Sequence, residues 1–110
     1  MGKKFFRIDD RATLDNLISD SKQKTVLVFK HSNACGVSAR AYREMEKLED
    51  RVNLLEVQAV PELSREIANL TGVRHETPQV ILLRDGKAVW NASHFDVNAD
   101  SVSRALESNA

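Results

Sequence analysis

The stretch Thr25-Val26-Leu27-Val28-Phe29-Lys30-His31-Ser32-Asn33-Ala34-Cys35-Gly36-Val37-Ser38 decides the fold. Its first five residues are β-branched, aromatic or aliphatic without a polar break beyond Thr25. That is the composition of a strand buried on both faces, and such strands belong to parallel sheets with helices on each side. After Cys35 the period turns helical, since Val37, Ala41, Met45 and Leu48 recur at i, i+4, i+8 and i+11 and form one stripe. A polar loop, His31 to Ala34, joins strand to helix, and the cysteine stands at the junction.

Outward from this unit, strand and helix signals alternate. Phe5 to Ile8 is a short strand candidate, and Asp10 offers a side-chain oxygen as a helix cap. Leu14, Leu17 and Ile18 give that helix its apolar face up to about Ser21. Val52 to Val60 has strand chemistry. Pro61 suits a first helical position, Leu63, Ile67 and Leu70 mark the helix, and Gly72 is placed to close it. Gln79 to Leu83 is a strand, Asp85-Gly86 a two-residue hairpin turn, and Lys87 to Ala92 the returning strand, with Val89, Trp90 and Ala92 as apolar members. Asn98 caps a last helix with Val102, Ala105 and Leu106 inside. The order β-α-β-α-β-α-β-β-α predicts an α/β fold with a mixed central sheet and helices on both faces.

The 110 residues fit one domain, 1–110, with no repeat or linker. Sixteen basic and sixteen acidic side chains cancel, which argues against nucleic acid or anionic lipid as a partner. A single cysteine rules out an internal disulfide and a zinc knuckle. Met1 to Phe6 carries no signal-peptide pattern, and Phe6 stands where a myristoylation motif beginning at Gly2 needs Ser or Thr. The longest apolar runs, Val26 to Phe29 and Val80 to Leu83, fall far short of the ~20 residues that span a bilayer. A cytoplasmic protein with a reduced thiol is the expectation.

Cys35 lies just past the carboxyl end of the most hydrophobic strand, where sites in open α/β sheets collect. A helix amino terminus adds unpaired N–H groups, here those of Gly36, Val37 and Ser38, and about half a positive charge. Both favour thiolate over thiol, and the thiolate is the nucleophile. The competing reading is a buried core thiol. The polar flank of Ser32, Asn33 and Ser38 argues for the reactive one. Ser38 stands three residues on, where a two-cysteine motif holds its resolving thiol. A hydroxyl cannot resolve a mixed disulfide. It can donate to the thiolate or tie down the first helical turn, and the sequence leaves both open. Exchange at Cys35 must therefore finish with an outside thiol.

Thr77-Pro78 precedes the fourth strand. Most X-Pro bonds are trans, which would make this a turn at a strand entry; the position raises the odds of cis, and a cis bond would offer the Thr77 backbone to a substrate. Among His31, His75 and His94 no pair has a standard metal-ligand spacing, so no metal is expected. His31 is the histidine expected near the thiol. Cationic, it would favour the thiolate; neutral, it would cap the loop.

Taken together, Phe29-Lys30-His31-Ser32, Cys35-x-x-Ser38, His75-Glu76-Thr77-Pro78-Gln79, Asp85-Gly86-Lys87 and Ser93-His94 resemble the monothiol bacilliredoxin (YtxJ-like) family. The likeness runs from about Leu14 to the last helix. It implies a thioredoxin-like fold and a bacterial, stress-related role in which bacillithiol caps protein cysteines as mixed disulfides. Cys35 would attack that disulfide, take bacillithiol onto itself and free the client, and a second low-molecular-weight thiol would reset it. Thr77 and Pro78, with His31 and Lys30, would hold the substrate; Lys30 or Arg40 would meet the carboxylates of bacillithiol. S-bacillithiolated clients are the implied partners, bacillithiol is a co-substrate, and no tightly bound cofactor and a monomer are expected. The family loop reads Thr-Cys-Pro-Ile-Ser, whereas this chain has Ala34-Cys35-Gly36-Val37-Ser38, and losing the proline loosens the helix start.

Two other functions compete. Cys35-Gly36-Val37-Ser38 is one residue from the Cys-Gly-Phe-Ser signature of monothiol glutaredoxins, which carry a [2Fe–2S] cluster between two subunits. Their Gly-Gly-Asp turn is missing here, where Asn91 to Asp96 stands instead. The third reading is a non-catalytic adapter that keeps only the fold.

Overall fold

The computed structural model describes residues 4–110. The reading of Met1 to Phe6 as carrying no targeting signal rests in part on Met1 to Lys3, which lie outside them. Five strands and four helices follow in the expected order: β1 (Phe5–Arg7), α1 (Arg11–Asp20), β2 (Val26–His31), α2 (Gly36–Glu46), β3 (Val52–Glu56), α3 (Pro61–Thr71), β4 (Gln79–Arg84), β5 (Lys87–Ser93) and α4 (Ala99–Ser108). The sheet order is β1-β3-β2-β4-β5. β1, β3 and β2 run parallel, while β4 is antiparallel to β2 and to β5, so the sheet is mixed.

β2 shows how alternation builds both layers. Successive side chains of a strand point to opposite faces. Leu27 and Phe29 pack with Ala41 and Met45 of α2 and Val102 and Ala105 of α4. Val26 and Val28 pack on the other face with Leu14 and Leu17 of α1 and Ile67 of α3. Helices therefore cover both faces, and β2 has no polar face because neither face meets water. Burying each such side chain contributes about 1.5–3 kcal/mol.

The caps follow local chemistry. Asp10 accepts the Thr13 N–H at 2.8 Å and Asn98 that of Ser101 at 2.9 Å. Gly72 closes α3 at φ 72°, a left-handed conformation that costs glycine nothing. Asp85 and Gly86 both have positive φ, 54° and 74°, as a tight hairpin turn requires.

Four details depart from the sequence reading. β3 stops at Glu56 rather than continuing to Val60. The Val57 N–H still meets the His31 carbonyl at 3.0 Å, but Ala59 and Val60 then fold back onto the Glu56 carbonyl. On α2 the inward turn begins with Ser38, fully buried, and Val37 is only partly covered. Leu70 and Val89 are exposed instead of packed. A single 3-10 turn, His94–Asp96, intervenes before α4. Among the described residues no helix is long and apolar enough to cross a membrane.

Candidate functional site

Cys35 is the N-cap residue of α2, with extended backbone at φ −124° and ψ 129°. Its carbonyl accepts the Ala39 N–H at 3.0 Å, the first helical bond. Helical geometry leaves the N–H groups of Gly36, Val37 and Ser38 without partners inside the helix. The Cys35 side chain makes no capping hydrogen bond and is partly exposed.

The loop before it is pinned at several points. The Ser32 N–H donates to Oγ of Ser38 at 3.2 Å. Oγ of Ser32 accepts the Ala34 N–H at 3.3 Å and Nε2 of Gln58 at 2.6 Å. Nδ2 of Asn33 donates to Glu56 at 3.1 Å. Ser38 thus ties the first turn of α2 to the loop, one of the two roles its hydroxyl could take.

The register of the central strands brings a second segment to the same end of the sheet. Lys30 pairs with Gln79, so Pro78 lies one residue beyond, beside the end of β2. The Thr77–Pro78 bond is cis. The Pro78 carbonyl accepts the His94 N–H at 2.9 Å, which draws the 3-10 turn against this loop. Phe95, 64% exposed, then meets the guanidinium of Arg40 on α2 at 5.6 Å.

Lys30 and His31 are neighbours in sequence and sit on opposite faces. His31 continues the Leu27–Phe29 side, and its ring lies 5.5 Å from Phe29 and 5.2 Å from Tyr42. Burial holds its pKa below the ordinary 6.5, with Glu56 opposing, and favours the neutral ring. Its Nδ1 is buried without a partner. A shallow groove lined by His31, Asn33, Ala39, Tyr42 and Arg43 borders the loop on this side.

Lys30 continues the Val26–Val28 side and has no exposed surface. Its ammonium lies 3.0 Å from Nδ1 of His75 and 3.3 Å from Oε1 of Gln79. Burial lowers its pKa from 10.5 to about 8. The structure thus links Lys30 through His75 to Thr77, the residue before the cis Pro78, with His31 on the far side of the sheet. Among the described residues no three His, Cys, Asp or Glu side chains form a metal-binding group.

The sequence names His94 as a histidine and as part of a motif but does not place it, or Phe95, beside Pro78, and register explains why. A two-residue turn alone pairs Arg84 with Lys87 and would bring Ser93 opposite Pro78. The shift between Leu82 and Leu83 leaves Val89 without a partner and puts Gln79 opposite Ser93. His94 consequently reaches Pro78. The exposed, unpaired Val89 is the residue of this bulge, and no turn signal marks it.

Comparison with known proteins agrees with this geometry. The family model of the monothiol bacilliredoxin BrxC matches residues 6–102. A solved structure provisionally described as an oxidoreductase with a thioredoxin fold is 33% identical, with 93% of each chain covered and a TM-score of 0.85. A mutant thioredoxin from Halobacterium salinarum NRC-1 is 21% identical, with a TM-score of 0.75 over 96% of this chain and 90% of that one. Fasciola hepatica thioredoxin is 18% identical, with a TM-score of 0.75 over 96% and 99%. The thioredoxins share the fold.

Proposed function

The chain belongs to the monothiol bacilliredoxin family, and from that premise we propose that it removes bacillithiol from S-bacillithiolated proteins by exchange at Cys35. Thiol–disulfide redox chemistry is the family's trade; the identity of the thiol and the direction of transfer are our reading. The Cys35 thiolate attacks the bacillithiol sulfur of the mixed disulfide. A Cys35–bacillithiol bond forms, the client–bacillithiol bond breaks, and the client sulfur leaves with the electron pair as a thiolate. A free bacillithiol thiolate then attacks the bacillithiol sulfur held on Cys35. This releases oxidised bacillithiol and restores the Cys35 thiolate. One client disulfide and one low-molecular-weight thiol become one client thiol and one low-molecular-weight disulfide.

The observation that carries this reading is the placement of Cys35. It caps α2 with an unengaged, partly exposed side chain, and it is the chain's one cysteine. The N–H groups of Gly36, Val37 and Ser38 stabilise the attacking thiolate, as helix termini do for anions. Thr77 and Pro78 form one wall of the substrate site, and His31 borders the other side. The protein acts as a single-domain monomer in the bacterial cytoplasm, where a lone thiol stays reduced.

The test uses a client carrying one bacillithiol, followed by intact mass. With the parent, the client loses its adduct and the parent gains a transient one. The Cys35→Ser variant does neither. A Cys35→Ser variant that strips the client at the parent rate overturns the proposal.

A further inference from the structure

The exchange chemistry leaves Lys30 without a task, yet Lys30 is an unusual residue. It is 0% exposed in the central strand, and among the described residues no carboxylate forms an ion pair with it. Burying an ammonium without a counter-charge is costly. Its partners are the polar atoms Nδ1 of His75 at 3.0 Å and Oε1 of Gln79 at 3.3 Å.

An ammonium has protons to give and no lone pair. Nδ1 of His75 must therefore be the bare, accepting nitrogen. The hydroxyl of Ser64, 3.1 Å from the same nitrogen, donates to it or stands aside. Burial first and the Lys30 charge second keep His75 below its ordinary 6.5, so the ring is neutral at neutral pH; Glu76 opposes this. A neutral ring with bare Nδ1 carries its proton on Nε2. That nitrogen lies 3.4 Å from Oγ1 of Thr77, the residue before Pro78. The second arm of the network holds the same segment, since Nε2 of Gln79 donates to the Arg74 carbonyl at 2.9 Å.

We propose that Lys30 is a positioning residue for the exchange. By donating to Nδ1 of His75 it fixes the Nε2–H tautomer, which holds the Thr77 hydroxyl and sets the segment that receives the mixed disulfide. The inference rests on Thr77 and Pro78 forming a substrate wall, as proposed above. Lys30 never touches the substrate. Its effect reaches the site through two hydrogen bonds.

Two measurements test it. Long-range 1H–15N correlation spectra of the parent at neutral pH read the His75 tautomer without any exchange activity. Protonated Nε2 and bare Nδ1 are expected; an Nδ1–H tautomer or an imidazolium overturns the inference. The second is a mutant cycle of Lys30→Met and Thr77→Val, read as KM and kcat on a bacillithiolated client peptide. Each single variant should raise KM about tenfold, the worth of one hydrogen bond, with kcat preserved. The double variant should be no worse than the poorer single one, because both break the same chain of contacts. Additive losses, or a loss in kcat alone, overturn it. If Lys30→Met does not fold, His75→Ala takes its place, since His75 lies in the loop before β4 and not in the central strand. A parent inactive on the client sinks the exchange reading and leaves the tautomer to be judged by its spectrum.

Discussion

The hydroxyl of Ser38 accepts the backbone N–H of Ser32 at 3.2 Å, joining the first turn of α2 to the loop that presents Cys35. Ser38 itself is fully buried. Removing the hydroxyl strands a partly buried donor. Ser38→Ala should lower the unfolding free energy by about 1–3 kcal/mol, read from urea midpoints at constant m-value. An unchanged midpoint would mean that the contact carries no weight.

The same position separates one-thiol from two-thiol chemistry. In a Ser38→Cys variant the added sulfur stands one helical turn from Cys35. After Cys35 takes up bacillithiol, the new thiolate attacks Sγ of Cys35, forms an intrachain disulfide and expels bacillithiol. Intact mass should show the adduct on the parent and an oxidised, adduct-free Ser38→Cys chain. An adduct equally persistent on both would contradict the geometry.

Lys30 gives the stability a pH dependence of known sign. Its pKa falls from 10.5 to about 8 because burial penalises the ammonium. Between those values the unfolded chain binds more protons than the folded one, so stability rises with pH. The penalty is in full force below about 8 and is relieved as pH climbs towards 10.5. Comparing urea midpoints of the parent and Lys30→Met cancels the other titrations. The parent should gain on the variant across this window, and a pH-independent difference would refute the assignment.

Most of the fold was legible because one side-chain pattern serves one environment. The unbroken Val26–Phe29 run meant burial on two faces, and Leu27 and Val28 do face different helix pairs. Caps were legible for the same reason: Asp10, Asn98 and Gly72 each act through a local contact. Ser38 was missed as the first inward position of α2 because hydrophobic periodicity does not register a buried hydroxyl. The expectation that Lys30 meets the carboxylates of the substrate needs an accessible cation, and the side chain is fully buried. Strand parity at Val26 and Val28 already pointed it inward, but its polar partners, His75 and Gln79, come from a distant segment. The approach of His94 to Pro78 depended on a bulge at Val89 that leaves no mark in the sequence.

The cap of α4 is a test removed from the thiol. Oδ1 of Asn98 accepts the Ser101 N–H at 2.9 Å, and Glu44 accepts that of Ala99 at 3.0 Å. Asn98→Ala should cost about 1 kcal/mol of stability, seen as a lower urea midpoint. The rate of adduct formation at Cys35 should not change, and a rate that falls with the midpoint would tie α4 to the site.

The central claim is that Cys35 is a nucleophile built to exchange with bacillithiol. Its most direct measurement is intact mass after incubation with oxidised bacillithiol and, in parallel, oxidised glutathione. The account predicts a single adduct, mapped to Cys35, that forms faster with bacillithiol. No adduct, or equal rates with both disulfides, would contradict it.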